Sequence, residues 1–329
     1  MMINKIKTAS IILMTFFLFN GCVSIGAKIK ITKNTTIKEK QSFSNYTVCI
    51  YEDKNKDFNY VEIIRSNEPV FTMEGNIFKF GAVYDELKNA SLLKMGNDIN
   101  GDEKPELVIS EYTGGAHCCF NYYIFSIDKT FKPLAVIEGA HGDLAHFEDV
   151  DHDGALEYLG NDWAFSYWNA CFSESPAPEI ILKYRNSRYL LTLDLMKKPL
   201  PTSEAEERNI KNIQNDIERL KGTKKENFKK PLNRGFFGDE DTGNFVWHRK
   251  GVMLPSSVWS HMLDLIYTGH PKEAREFLNK IWPNGEQGKE EFLSDFEKQL
   301  STSLYWDSVK KSLGTKQIRI FLVRMITIK

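Results

Sequence analysis

Two short acidic segments carry residue types and a spacing suited to caging a hard cation. The first reads Asp98-Ile99-Asn100-Gly101-Asp102-Glu103-Lys104-Pro105-Glu106. The second reads Asp149-Val150-Asp151-His152-Asp153-Gly154-Ala155-Leu156-Glu157. In both, oxygen-bearing side chains stand at loop positions 1, 3, 5 and 9. Calcium takes about six to eight oxygens in a flexible cage, and a tight loop turns alternate side chains inward. Position 7 can add a backbone carbonyl, from Lys104 in one loop and Ala155 in the other. The expected ligands are therefore Asp98, Asn100, Asp102, Lys104 and Glu106, then Asp149, Asp151, Asp153, Ala155 and Glu157, with structural Ca2+ as the cofactor. An EF-hand would need Glu at position 12 and flanking helices. Ile109 and Gly160 stand there instead, which excludes it. Asp53, Asn55 and Asp57 repeat the spacing, but Val61 replaces the closing acid, so that segment reads as a hairpin turn.

The elements around these loops are short and β-prone. Tyr46, Val48 and Ile50 alternate with Thr47, Cys49 and Tyr51. Further apolar or alternating runs follow at 61–64, 77–80, 107–109, 122–127, 180–184 and 189–193, separated by Asp, Asn and Gly clusters. Many short strands with frequent turn signals predict an all-β module over 43–200. After Pro201 the pattern changes. Ser203 and Glu206 have capping-box spacing and predict a charged helix to about Leu220. Residues 201–255 read as this helix plus a polar linker. Helices starting near Ser257, Lys272 and Lys289, and another near Tyr305, give 256–329 an αα-hairpin pattern. The apolar stretch 318–328 closes the chain without a clear assignment.

The two acidic loops resemble the calcium loops of FG-GAP and VCBS repeats, as in the N-terminal β-propeller of integrin α chains. Their starts lie about 50 residues apart, close to the length of a propeller blade. The resemblance implies β-propeller-like or incomplete-propeller antiparallel blades, followed by the helical C-terminal domain. The first loop departs from the pattern by carrying Glu103 where Gly is usual, with Gly101 nearby. The segment Gly114-Gly115-Ala116-His117-Cys118-Cys119 also looks like one found in exported bacterial FG-GAP-like proteins.

The beginning of the chain reads as an export signal over 1–21. Lys5 and Lys7 precede an apolar run from Ile11 to Phe19. That run is shorter than the roughly 20 residues needed to span a bilayer. Leu18-Phe19-Asn20-Gly21-Cys22 resembles the lipobox of bacterial lipoproteins, which implies lipidation at Cys22 and attachment to an envelope membrane. Val23, in place of an Asp after that cysteine, implies the outer membrane in a double-membraned cell. Residues 22–42 then read as a tether.

A formal net charge of -1 leaves no electrostatic footprint for nucleic acid. Cys49, Cys118, Cys119 and Cys171 are disulfide candidates in an exported chain. Alternation along a strand would send Cys118 and Cys119 to opposite faces, so each is expected to reach a distant partner, with Cys171 favoured. His117, His141, His146, His152 and these cysteines match no standard zinc spacing. Trp163, Phe165 and Tyr167 alternate and are expected to share one strand face. Trp259, Trp282 and Trp306 are expected between helices. The functional expectation is a lipid-anchored, non-catalytic module that binds an envelope protein or glycan. The alternative is an envelope hydrolase using a His/Cys or carboxylate site.

Overall fold

The computed structural model describes residues 34–55, 58–82, 93–115, 118–142, 145–221 and 246–313. Cys22, Asp57, His117, most of the tether and the apolar stretch 318–328 lie outside them. The chain forms two compact units, divided between Phe78 and Lys79.

The first unit is a four-stranded antiparallel meander of β1 (Thr35–Phe43), β2 (Tyr46–Asp53), β3 (Asn59–Arg65) and β4 (Glu68–Gly75). Val48 and Ile50 of β2 and Val61 and Ile63 of β3 are fully buried. Ser66 and Asn67, both at positive φ, form the two-residue turn that matches the right-handed twist of the β3–β4 hairpin. Asn55 N–H donates to Asp53 Oδ1 at 3.1 Å in the turn leaving β2, the hairpin expected there. Part of the expected tether is corrected: 35–42 belongs to β1, paired along β2. Its Lys- and Glu-rich sequence is that of an edge strand, where charge blocks further pairing, and it therefore read as linker.

The second unit contains strands and helices together. The division from the first unit falls inside β5 (Ile77–Phe80). That strand is followed in its sheet by β6 (Glu106–Tyr112), β7 (Phe120–Ile127) and β8 (Phe131–Ala140), in that order. The next sheet runs β9 (His146–Glu148), β10 (Glu157–Asn161), β11 (Glu179–Arg185) and β12 (Arg188–Leu191), again in chain order. A short hairpin, β13 (Trp247–Arg249) and β14 (Val252–Leu254), completes the strands. Among the described residues the sheets do not close into a ring.

The helices are α1 (Leu193–Met196), α2 (Ser203–Lys221), α3 (Ser256–Tyr267), α4 (Pro271–Ile281), α5 (Lys289–Leu300) and α6 (Trp306–Ser312). Thr202, not Ser203, starts α2: its Oγ1 accepts from Ala205 N–H at 3.3 Å. The apolar faces read from spacing are buried. Val258, Met262, Leu265 and Ile266 line α3, Ala274, Phe277, Leu278 and Ile281 line α4, and Phe292, Phe296 and Leu300 line α5. They share one core with Tyr122, Phe147 and Tyr158 from the sheets. The compact units therefore do not follow the composition boundaries: 43–200 is divided at residue 78, and the helices pack with the strands.

The turn at 162–168 joins strands to helices. The run Trp163, Phe165, Tyr167 is corrected from a strand face to a turn, because β10 ends at Asn161 and Tyr167 has φ 59. Phe165 packs on Phe296 at 5.2 Å and Trp168 edge-on against Trp259 at 5.0 Å, whereas Tyr167 is half exposed. Asp162, buried at the end of β10, accepts hydrogen bonds from Tyr267 Oη and Ser303 Oγ, each at 2.5 Å. Trp259 and Trp282 are buried as expected, and Trp306 packs against the core from its edge.

Candidate functional site

The two acidic loops occupy the same place in their sheets. The first lies between β5 and β6, and the second between β9 and β10, so each joins the first and second strands of a four-stranded meander. In each, the position 9 Glu is the first residue of the second strand.

Their backbones fold alike, and the same acceptors hold them. The position 1 carboxylate takes the backbone N–H groups of positions 5 and 6 in the two loops alike. Asp98 accepts from Asp102 at 3.2 Å and Glu103 at 2.7 Å, and also from Gly101 at 2.8 Å, whereas Asp149 accepts from Asp153 and Gly154, both at 3.1 Å. The position 5 carboxylate takes the N–H of position 7, Lys104 to Asp102 and Ala155 to Asp153, both at 3.1 Å. The position 9 carboxylate reaches back to position 2, with Glu106 accepting from Ile99 at 2.8 Å and Glu157 from Val150 at 2.9 Å.

Positions 4 and 6 are left-handed in both loops: Gly101 and Glu103 in the first, His152 and Gly154 in the second. The glycine has exchanged places between copies. A Cβ at Gly101 would come within 3.0 Å of the Ala155 Cβ, because the loops touch. Leu156 N–H also donates to Ile99 O at 2.8 Å. Gly101 thus answers to the neighbouring loop, and Glu103 carries the positive φ that glycine would relieve.

Carboxylate oxygens of Asp98, Asp102 and Glu106 converge within 4.8 Å of one another, as do those of Asp149, Asp151 and Asp153. Asn100 Oδ1 accepts the Asp102 N–H at 2.9 Å. The acceptor-rich, all-oxygen donor sets suit a hard cation. Glu106 is fully buried, and burial, reinforced by Asp102 and Asp98, pushes its carboxyl up to about 7 despite the Ile99 N–H.

The loops differ in countercharge. Lys104, on the first loop, reaches only Asp102, 2.8 Å away at the exposed rim. In the second, Lys183 enters from β11. Its Nζ lies 2.7 Å from Asp151, 2.6 Å from Asp153 and 2.9 Å from Glu157. Its side chain is 7% exposed, and Glu157 is fully buried. Burial alone would lower the lysine, but hydrogen bonds to Asp151, Asp153 and Glu157 hold its ammonium above the ordinary range. Hydrogen bonding to Lys183 also lowers Asp153. The acidic spacing alone does not reveal Lys183, which is 32 residues from Asp151 and reaches it only through strand pairing.

The cysteine expectation is corrected. Cys118 and Cys119 are bonded to each other, with Cα atoms 3.1 Å apart, while Cys49 and Cys171 are unbridged. Strand alternation does not govern the pair, because β7 begins only at Phe120. Cys171 Sγ instead lies 3.2 Å from Ser173 Oγ. His141 packs edge-on against Trp163 at 4.8 Å, and His146 lies 3.5 Å from Glu148. Among the described residues, neither candidate metal cluster contains a histidine or cysteine.

The chain matches no known family profile and no solved structure. It is similar to a probable thylakoid lumen protein of Synechocystis sp., 26% identical over 133 residues, which is 40% of this chain and 37% of that protein. It is also similar to an uncharacterized protein of Sinorhizobium fredii, 34% identical over 89 residues, or 26% of this chain and 14% of that protein. The similarity thus spans well under half the length of these relatives.

Proposed function

We propose that this chain is an exported, non-catalytic binding module whose second unit is stiffened by calcium held in blade-like acidic loops. The observation that carries this reading is the repeated loop. Two copies share left-handed positions 4 and 6 and the same carboxylate-to-backbone bonds, and each stands between the first two strands of a meander. That arrangement supports kinship with FG-GAP and VCBS repeats, in an open form with a helical C-terminal part. The convergence of Asp98, Asp102 and Glu106 supports a divalent ion there, completed by Asn100 and the Lys104 carbonyl.

Export is supported by the signal-like start of the chain and by likeness to a protein named for the thylakoid lumen. The Cys22 motif adds a lipid anchor in an envelope membrane, with the outer membrane favoured by Val23. Partner binding, to an envelope protein or a glycan, completes the reading.

Thermal unfolding of the full chain, in calcium and in chelator, tests the calcium part. Calcium binds only the native cage and therefore raises the melting temperature. Identical melting in both conditions refutes it. Intact mass of the mature protein tests the anchor: a lipidated Cys22 at the N-terminus is expected, and an unmodified thiol there contradicts it.

A further inference from the structure

We propose that Lys183 is the resident cation of the second loop, so that the folded chain takes one calcium ion, at the first loop, and not two. This rests on the calcium reading of the first loop and departs from it at the second. The argument compares equivalent positions in two sheets. In the first, Glu106 pairs across the ladder with Ser126 of β7. In the second, the register that pairs Tyr158 with Leu182 brings Glu157 opposite Lys183 of β11. Cross-strand partners stand on one face of a sheet. The residue facing the closing acid is therefore a short hydroxyl in one copy and an ammonium in the other.

The ammonium reaches the carboxylates of positions 3, 5 and 9, Asp151, Asp153 and Glu157, at 2.6 to 2.9 Å. A divalent ion in that loop would draw on the converging carboxylates of Asp149, Asp151 and Asp153, two of which already hold the ammonium. A calcium ion bound 2.3–2.6 Å from each, as calcium requires, would stand within repulsive distance of the Lys183 nitrogen. Desolvating both cations against one set of acids is unfavourable, so the covalently attached one holds the place. The positively charged strand residue does for the second loop what an ion does for the first, at any calcium concentration.

Calcium titration of the full chain, followed by calorimetry and native mass spectrometry, tests the assignment. Wild type is expected to bind one ion and Lys183→Ser two. The reciprocal Ser126→Lys variant is expected to bind none and to melt at a temperature independent of calcium. Two ions on wild type overturn the proposal while leaving the calcium reading intact. One ion on both wild type and Lys183→Ser overturns it as well. No ion on wild type but one on Lys183→Ser sustains the lysine assignment and defeats the calcium reading of the first loop. Should Lys183→Ser fail to fold, Ser126→Lys decides: loss of the single ion supports the proposal, and its retention overturns it.

Discussion

The loops at 98–106 and 149–157 share a backbone, but they differ in what neutralises them. In the first, the carboxylates of Asp98 and Asp102 converge on a buried Glu106 whose proton affinity is raised, with Lys104 only at the rim. In the second, Lys183 ties Asp151, Asp153 and Glu157 together from another strand. Loop conformation is therefore set locally, by Asx-type carboxylate bonds and two left-handed residues. Countercharge is set by the third strand of each sheet. A loop motif alone reports the cage and not its occupant.

The comparison can be broken most forcefully at Lys183. In chelator, Lys183→Ser leaves Glu157 buried among acids without its cation, and removal of one partner of a buried ion pair costs about 3–5 kcal/mol. Urea unfolding should show that loss, and calcium should restore much of it. An unchanged midpoint in chelator would mean the ammonium is not essential to the second loop. A control far from both cages is Asp162→Ala, which strips the acceptor from Tyr267 and Ser303. Its cost, about 3 kcal/mol for two buried unsatisfied hydroxyls, should be the same with and without calcium.

Asp98→Ala and Asp149→Ala separate the loops more finely. Asp98→Ala should abolish the calcium-dependent part of stability, about 2.7 kcal/mol at calcium a hundredfold above Kd. Asp149→Ala should lower stability equally in calcium and chelator, because its loop is neutralised by lysine. Equal loss of calcium dependence in both variants would erase the distinction. The smallest effect is expected at Glu103, whose φ of 61 places a side chain in left-handed backbone. Glu103→Gly should stabilise by about 0.5 kcal/mol, the steric relief being partly offset by the entropy of glycine. Destabilisation on thermal melting would show that the Glu103 side chain has a role of its own.

Much of this was legible in the residue pattern, where the determining interactions are local. The acid that closes each loop does open a strand, and the apolar spacing of α3, α4 and α5 does mark their buried faces. Non-local effects were not legible. Lys183 acts through a ladder register, and β1 is a polar edge strand that exists only by pairing with β2. The Cys118–Cys119 bond forms before β7 begins, outside the alternation used to reject it. Phe165 is buried against α5, and Trp168 packs half-buried against α3, neither on a sheet face. The unit boundary at residue 78 is likewise one that composition does not mark.

The most direct measurement is an anomalous difference map from crystals of the chain grown in calcium. A single peak is expected, about 2.3–2.6 Å from oxygens of Asp98, Asp102 and Glu106, with Lys183 Nζ still seated among Asp151, Asp153 and Glu157. A first loop without a peak, or a peak beside Glu157 with the lysine swung out, would contradict the account.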